Sequence, residues 1–366
     1  MRIGVSMYNL KRDSNKLKVL LFQTWVIISF GILILTFYIL TQPSFYFPQL
    51  LVSELAKVLI TEGTLVLDES DRDSEKRTKR LHKTYKQKDK ATGGYVNGQT
   101  IVLLLLVSDS TTIPVGFTFY MPDPVLSAWK KEYKRLIKKG IPKNQRPDKP
   151  KRNPDYPTKV ELGLDLLHKF KTNHREITVK AILADALYFD SKFMDKAANL
   201  FGGVQVISQL HNNQNIWYKG KKRTLDDYFN SINKGVTQII EVRGQQEIKA
   251  VVSSARLFVP AHGKKRFVIA LKYEEEENYR YLVATDMSWL PSDIIQAYTL
   301  RWLVEVFFDP LQLYEGWVCS AKQLDEEGSS RGLILSLLLD HCLLLHPEQI
   351  ARLKSKLLSI TVGSLL

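Results

Sequence analysis

Cysteine is almost absent from this sequence, which contains only Cys319 and Cys342 among its 366 residues. Neither belongs to a Cys-x-x-Cys motif or to a group of Cys and His residues, which argues against structural zinc and against a disulfide framework. This use of cysteine is typical of a reducing compartment, and we predict a cytoplasmic protein. The sequence also has no internal repeats.

Acidic residues are outnumbered by basic ones. The chain has 38 Asp and Glu residues against 52 Lys and Arg residues, so its formal charge is +14 and its pI is near 9.5. This balance favours a polyanionic partner, either nucleic acid or an anionic membrane surface. The net charge does not distinguish nucleic acid from a membrane surface. Two basic runs, residues 76–90 and 130–152, are candidates for phosphate contact.

Charged residues are missing from residues 19–40, VLLFQTWVIISFGILILTFYIL. This segment is long enough to span a bilayer core, and basic residues precede it as on a cytoplasmic flank. We favour burial against the rest of the protein, because Gln23, Thr24, Ser29 and Thr36 fit that environment better. No small-residue cleavage site follows, which argues against a secretory signal. A membrane partner is therefore not expected, and a membrane span stays the open alternative.

The pattern along the chain predicts five regions, and the length allows two or three structural units. Residues 1–60 are an apolar helical region, and residues 61–210 are the first part of an α/β core. Residues 211–290 change to short β runs with Gly-containing turns and read as a β-rich insertion. Residues 291–320 return to the core with a helix that contains a glutamate, and residues 321–366 are C-terminal helices.

Two apolar strands are each followed by an acid. The run TLVLDES predicts a strand that ends at Asp68, where it passes into a charged loop, and ITVKAILADALYFD predicts a strand that leads into Asp185. Glu69, Asp71 and Asp73 are close enough in sequence to be alternatives at the first strand. We prefer Asp68 because it directly ends the apolar run.

A third acid lies in YTLRWLVEVFF, which begins at Tyr298. On a helical wheel the Leu, Val and Phe side chains gather on one side, which predicts a face turned to a core. Tyr298, Arg301 and Glu305 fall together on the opposite side. Such a stripe is either ordinary surface, with Arg301 and Glu305 forming an i, i+4 ion pair, or a functional group of side chains.

Three carboxylates held by two strand ends and a helix suit a site for two divalent metal ions. Hydrolysis of a phosphodiester by two ions about 4 Å apart needs several converging carboxylates. Mg²⁺ and Mn²⁺ prefer oxygen ligands and retain some of their waters, so three acids are enough to hold them.

These motifs resemble the DDE transposases of bacterial insertion sequences. LVLDES is similar to the family's first-aspartate motif, LADALYFD to the second, and YTLRWLVEVFF to its Tyr-x2-Arg-x3-Glu-x6-Lys signature. The resemblance covers roughly residues 64–317. It implies an α/β fold in which a ribonuclease H-like mixed sheet is flanked by helices, with a β-rich insertion and helical N- and C-terminal regions.

The resemblance also implies a role for each matched residue. Asp68 would contact both Mg²⁺ (or Mn²⁺) ions, Asp185 one of them and Glu305 the other, while Tyr298 and Arg301 would hold DNA phosphates. The implied activity is cleavage at the ends of the element, followed by attack of the freed 3′-hydroxyl on target DNA. The implied partners are double-stranded DNA, both element ends and target, and a second copy of the chain in an active homodimer associated with the nucleoid.

The sequence departs from the family pattern after Glu305. Gln312 stands where the family has Lys, and Pro310 removes a backbone donor from the presumed helix and should kink or end it. These departures leave a second hypothesis open, a catalytically impaired transposase remnant that binds DNA without cutting it.

Overall fold

The computed structural model describes residues 60–73, 81–88, 92–108, 112–242, 246–274, 276–304 and 325–345. The described residues belong to two compact units, one containing those from 60 to 304 and the other those from 325 to 345. The predictions made for residues 1–59, Glu305, Pro310 and Gln312 therefore concern positions outside the described residues. The five predicted region boundaries stay predictions.

The first unit is built on a 12-stranded mixed sheet. Its strands in chain order are β1 (Glu62–Asp73), β2 (Tyr85–Lys88), β3 (Tyr95–Val107), β4 (Thr112–Tyr120), β5 (Thr178–Ala184), β6 (Gln205–Leu210), β7 (Asn215–Tyr218), β8 (Lys221–Thr224), β9 (Val236–Val242), β10 (Gln246–Val259), β11 (Lys264–Tyr273) and β12 (Arg280–Ala284).

Helices of the same unit flank this sheet. Those of the first unit are α1 (Pro124–Lys138), α2 (Lys159–Asn173), α3 (Ser191–Leu200), α4 (Leu225–Ser231) and α5 (Pro291–Thr299), and the second unit is represented by α6 (Glu326–Leu345). The expected mixed α/β class with a helix-flanked sheet is thus confirmed. Within the ranges given above, no helix is long and apolar enough to cross a bilayer.

One half of the sheet has the strand order β4-β3-β1-β5-β6. Strand β3 is antiparallel to β1 and β4, whereas β1, β5 and β6 are parallel to one another. Residues 101–107 of β3 are almost fully buried, as a continuous apolar run on a strand covered on both faces should be. Parallel strands need crossover connections, and α2 and α3 supply helical segments between β1, β5 and β6.

The other half of the sheet is formed by the β-rich segment. Strand β12 pairs antiparallel with β6, and β11, β10, β7 and β8 follow in that order. Strand β9 pairs with β10 at one end of that strand. The segment predicted as an insertion therefore extends the same sheet instead of forming a separate one.

The prediction that the first strand ends at Asp68 is wrong. Strand β1 continues to Asp73, because β3 keeps pairing with it as far as the Asp73–Gly98 pair. Only the pairing with β5 stops near the predicted point, at Leu67 and Ala184. Asp68 therefore lies within β1, at the position where one of its two neighbouring strands ends.

A helix was also missed at the start of the second basic run, residues 130–152. Residues 124–138 form α1, with Pro124 at the first helical position. The side chain of Asp123 caps the helix by accepting hydrogen bonds from the backbone N–H groups of Val125 and Leu126, at 2.9 and 3.1 Å. All α1 side chains remain at least partly exposed to solvent.

Candidate metal-binding active site

Asp68 and Asp185 lie beside each other on neighbouring parallel strands. Leu67 of β1 pairs with Ala184, the last residue of β5, so the two aspartates occupy the next positions along the same edge. Glu69 follows on β1. One carboxylate oxygen from each of Asp68, Glu69 and Asp185 lies within 4.8 Å of the others. The three acids thus converge at the point where β5 ends and no longer pairs with β1.

Backbone and side-chain hydrogen bonds hold Asp185 at this position. Its Oδ1 accepts from the backbone N–H of Leu187 at 2.9 Å and caps the short 3₁₀ turn Ala186–Tyr188. Its carbonyl oxygen accepts from the hydroxyl of Ser208 on β6 at 2.6 Å. The turn after β5 therefore fixes the carboxylate, and β6 fixes the backbone of Asp185.

Asp68 is almost completely buried, and Arg301 contacts it. Arg301 Nη1 donates to Asp68 Oδ2 at 2.7 Å, and the backbone N–H of Glu69 donates to Asp68 Oδ1 at 2.8 Å. Burial raises the pKa of Asp68 to about 7, and the nearby charge of Asp185 adds to the rise, although Arg301 opposes it. This carboxylate is therefore poised to titrate near neutral pH unless another cation joins Arg301.

The side chain of Glu69 leaves β1 on the face opposite to Asp68, because successive side chains of a strand alternate, but its carboxylate reaches the open edge and lies within 4.8 Å of the other two acids. Its Oε1 accepts from Lys159 Nζ at 3.0 Å, and the ammonium group lies 5.5 Å from the ring of Tyr120. Burial raises the pKa of Glu69, with Lys159 opposing the rise. Burial by itself would lower the pKa of Lys159, but the charge and hydrogen bond of Glu69, together with Asp71 and Tyr85, raise it, so the lysine is held charged.

Lys159 is placed by the start of α2. Thr158 precedes it as the helix cap, accepting from the N–H of Glu161 at 3.2 Å, while the Glu161 side chain accepts from the N–H of Thr158 at 2.8 Å. This reciprocal pair is a capping box.

Further along α2, a Cβ on Gly163 would lie 2.5 Å from Leu67 Cδ2, so only glycine lets the helix pack this close to β1.

Two tyrosines border the acids with buried hydroxyl groups. The Tyr298 hydroxyl has no hydrogen-bond partner within the part of the chain that the structure describes, and the Tyr188 hydroxyl interacts with the Glu69 carboxylate without reaching full hydrogen-bond geometry. The pKa of each is raised, chiefly by burial and further by the nearby carboxylates. Both phenols therefore stay protonated and offer donors beside the acids.

The charge balance of the acid cluster fits a divalent cation. Burial raises the pKa of Asp185 as well, while the Leu187 N–H and the charges of Arg301, Lys159 and His211 oppose the rise. Asp68 is buried and Glu69 and Asp185 are partly buried, and the three carboxylates lie at close range, where like charges disfavour ionisation. Hard oxygen donors at this spacing suit Mg²⁺ or Mn²⁺, and a bound cation would favour the ionised form of each acid.

Asp71, an alternative at the first strand, is engaged elsewhere. Its Oδ1 accepts from the hydroxyl of Thr100 at 2.6 Å. That hydroxyl also accepts from Gln87 Nε2 at 2.8 Å and lies 2.6 Å from the hydroxyl of Tyr85. Because Thr100 has a single proton, which it donates to Asp71, Tyr85 must donate to Thr100. Asp71 thus orders β1, β2 and β3.

The structure brings four of the five predicted site residues together. Asp68, Asp185, Arg301 and Tyr298 surround one point, whereas Glu305 lies outside the described residues. The uninterrupted helix expected through this motif is wrong. Helix α5 ends at Thr299, and turns with i to i+3 hydrogen bonds follow before residues 302–304 are helical again. The side of this segment that contains Tyr298 and Arg301 faces the acids.

The sequence did not identify two of the groups at this site. Glu69 was considered only as a substitute for Asp68, but both lie in the cluster, because β1 continues past the point where β5 ends. Lys159 is 90 positions from its partner Glu69. The only local signal at Lys159 is the Thr-x-x-Glu capping box, which predicts where a helix starts and says nothing of a distant acid.

No known family model matches the chain, and no curated protein matches it. Among solved structures it is similar to the NurA nuclease from Sulfolobus solfataricus, at a TM-score of 0.28 and 7% sequence identity, over 65% of this chain and 72% of that one. A likeness of this size carries no argument about fold or activity.

Proposed function

We propose that this protein is a DDE-type transposase, which cuts DNA at element ends and joins them to target DNA with the help of two divalent ions. The observation that supports this most is the convergence of Asp68 and Asp185 from the ends of paired segments on adjacent parallel strands. These are the positions that the two aspartate motifs imply. Glu69 is a further oxygen donor to the same ions, and Glu305 is the expected third motif acid.

The strand arrangement supports a ribonuclease H-like core within this proposal. Three strands linked in antiparallel fashion, β4, β3 and β1, are followed in the sheet by two parallel strands, β5 and β6. This arrangement places the first and fourth strands of the core side by side. Acids at the ends of two such strands meet without any long loop to position them.

The chain's own residues define the proposed roles. Asp68, Glu69 and Asp185 would hold the ions, which when bound activate water and neutralise charge on the phosphodiester. Arg301 is positioned to exchange its bond with Asp68 for a bond to a DNA phosphate, since its planar fork suits both anions. Lys159 compensates the charge of Glu69 and orients it from the opposite face of β1.

Residues 124–152, which we call the basic arm, provide a surface for duplex DNA. The basic arm contains eleven Lys and Arg residues and two acids, so most of the chain's excess charge lies there. Its two ends lie together, because Asp123 Oδ2 accepts from the backbone N–H of Asn153 at 3.4 Å, and α2, whose Lys159 binds Glu69, follows in the chain. A dense positive segment of this kind neutralises phosphates without reading sequence.

Internal contacts order the basic arm. The rings of Trp129 and Tyr133 are 4.9 Å apart, and Trp129 Nε1 donates to the carbonyl of Pro147 at 3.0 Å. The guanidinium of Arg146 lies 5.2 Å from the Tyr133 ring. These contacts hold the loop that follows α1 against the helix, so the charges are presented on a defined surface.

The proposal is tested by measuring Mn²⁺ binding and DNA nicking on the same variants. We expect the wild-type chain to bind Mn²⁺ in calorimetry and to nick supercoiled DNA in its presence. Asp68→Asn, Asp185→Asn and Glu305→Gln should lose nicking while keeping the fold, as judged by circular dichroism. Asp165→Asn is the matched control, because Asp165 is half-exposed, forms an ion pair with Lys169 and is not part of the acid cluster.

Two results would count against the proposal in different ways. Wild-type nicking by Asp68→Asn or Asp185→Asn would remove the assigned site. Salt-dependent DNA binding by the wild-type chain, with neither Mn²⁺ binding nor nicking, would instead support the catalytically impaired remnant.

A further inference from the structure

A row of four exposed side chains crosses the β-rich half of the sheet. Phe258 on β10 is paired directly with Trp217 on β7, and each has a lysine as its other neighbour. Lys265 on β11 is paired with Phe258, and Lys222 on β8 is paired with Trp217. Directly paired residues point to the same face of an antiparallel sheet, so all four side chains share one face. We call them the aromatic row.

The aromatic row is turned to solvent. Trp217 is 46% exposed and Phe258 36% exposed, and both lysines are exposed. Neighbouring strands are about 4.8 Å apart, so the row extends about 14 Å from one lysine to the other. Two aromatic side chains in the middle and a cation at each end thus form one continuous strip.

The basic residues on the reverse face of the same strands have a different role. Lys264 and Arg266 pair with Asp195, at 2.6 and 2.7 Å, and Arg223 pairs with Asp227 at 2.8 Å. Those cations join strands to helices inside the fold. The lysines of the aromatic row instead flank exposed rings, an arrangement that the ion pairs among the described residues do not explain.

We propose that the aromatic row binds a single-stranded segment of DNA, with bases stacked on Trp217 and Phe258 and phosphates held by Lys222 and Lys265. Any base has a flat face that stacks on an aromatic side chain, and this contact contributes about 1 to 3 kcal/mol per base. Duplex DNA does not offer unstacked base faces, so exposed rings between cations favour a single strand. Arg256, exposed on the same face two residues before Phe258, adds a third cation beside the row.

This inference rests on the proposed function for the choice of DNA over RNA, and it adds a second surface distant from the acids. In the sheet order, six strand-to-strand steps separate β1 from β7. At about 4.8 Å per step, Trp217 lies roughly 29 Å across the sheet from Asp68, and Lys265 on β11 roughly 19 Å. A strand released by unpairing near the acids would therefore be captured on a part of the protein that does not cut it.

The test measures binding of a fluorescein-labelled oligodeoxythymidine by anisotropy in EDTA, which removes divalent ions from the acid site. Trp217→Ala and Phe258→Ala should each weaken binding about fivefold to a hundredfold, as expected for losing one stacked base. Trp217→Phe keeps a ring and should bind within about threefold of wild type. Ile239→Ala is the control, because Ile239 is 61% exposed in the same segment but lies outside the row.

Fluorescence gives a second readout that a general loss of stability would not reproduce. The oligonucleotide should quench the tryptophan emission of the wild-type chain. Trp217→Phe should still bind the oligonucleotide but lose the part of the quenching that comes from Trp217. Equal affinity of wild type, Trp217→Ala and Phe258→Ala would overturn the inference, and so would tenfold tighter binding of an oligoribonucleotide of the same sequence. If the wild-type chain is a dimer and Phe258→Ala is a monomer with unchanged oligonucleotide binding, the aromatic row is a contact between two copies of the chain instead.

The binding assay and the nicking assay fail independently. Loss of oligonucleotide binding in the row variants, with no metal-dependent nicking by wild type, would support the aromatic row and reject the transposase activity. Nicking by wild type with unaltered oligonucleotide binding in the row variants would reject the aromatic row alone.

Discussion

Arg301 and Asp68 are separated by 233 positions in the chain, and Arg301 Nη1 lies 2.7 Å from Asp68 Oδ2. The contact joins the segment after α5 to the open edge of β1. It also places a permanent cation against an acid that burial would otherwise keep protonated, since Arg301 lowers the pKa of Asp68 against the effect of burial. The residue proposed to hold DNA and the residue proposed to hold metal are thus electrostatically coupled.

The raised pKa of Asp68 predicts a pH-dependent stability. The pKa is about 3.8 in an unfolded chain and about 7 here, so the folded protein binds the proton more tightly. The stabilising contribution is complete below about pH 4 and is lost as the pH rises through about 7. Asp68→Asn stays neutral and should be more stable than wild type by a few kcal/mol at pH 8 in EDTA, with little difference at pH 4.

Urea unfolding of both proteins at pH 4, 6 and 8 measures this difference. Asp165→Asn, at an exposed ion pair, should show no such change across the same range. A constant difference between Asp68→Asn and wild type from pH 4 to pH 8 would contradict the assigned cause. Adding Mn²⁺ at pH 8 should stabilise wild type and leave Asp68→Asn unchanged, because a ligand that binds only the folded state shifts the equilibrium.

Lys159 and Glu69 should depend on each other for stability. Their side chains are only 20% and 18% exposed, so Lys159→Met leaves a mostly buried carboxylate without its cation. We expect a loss of about 2 to 4 kcal/mol in urea unfolding at pH 8, and recovery of most of it in the double variant Lys159→Met with Glu69→Gln. The control Lys169→Met removes a pair that is 53% exposed on both sides and should change stability by less than about 1 kcal/mol. If Lys159→Met and Lys169→Met lose the same stability, Lys159 does not compensate a buried charge on Glu69.

The adjacency of Asp68 and Asp185 could be predicted from the sequence, because each follows an apolar strand and parallel strands align their ends. The extension of β1 to Asp73 could not, because it depends on the partner β3, whose pairing brings Gly98 close to the backbone of Arg72. A charged stretch without apolar alternation gives no strand signal of its own. Tertiary pairing therefore overrode the local pattern.

Contacts between distant segments were also invisible in the sequence. The Tyr-x2-Arg spacing predicted that Tyr298 and Arg301 share a side of the chain, and both do face the acids. The same periodicity predicted an unbroken helix, which the turn after Thr299 interrupts. Periodicity reports which residues share a side, whereas the partner that this side meets is set by the fold.

Gly163 predicts a tight fit between α2 and β1 that a single methyl group should disturb. Alanine is the better helix former by about 1 kcal/mol, so an unconstrained site would be stabilised by Gly163→Ala. Here the added Cβ would lie 2.5 Å from Leu67 Cδ2 and 3.0 Å from Tyr188 Cε1. We expect a net loss of about 1 to 3 kcal/mol in urea unfolding, since overpacking displaces both neighbours.

A double-mutant cycle identifies the cause of that loss. Leu67→Ala removes the closest atom, so Gly163→Ala should cost less in the Leu67→Ala background than in wild type. Thr172→Ala, at an exposed position of α2, should be neutral or slightly stabilising. A Gly163→Ala protein more stable than wild type would show that α2 moves away from β1 without cost.

The basic arm predicts a measurable share of the salt dependence of DNA binding. Lys130, Lys134 and Lys138 are exposed and follow one another at four-residue spacing, so they form one stripe along α1. Each lysine that neutralises a phosphate of duplex DNA contributes about 0.9 to the slope of log K against log salt. Changing all three to Ala should therefore reduce that slope by about 2.7, measured by anisotropy with a labelled duplex from 50 to 200 mM salt.

Replacing Lys171, Lys192 and Lys196, outside the basic arm, removes the same charge and should reduce the slope by less than about 1. Equal reductions in the two triple variants would mean that total charge, and not the basic arm, determines duplex binding.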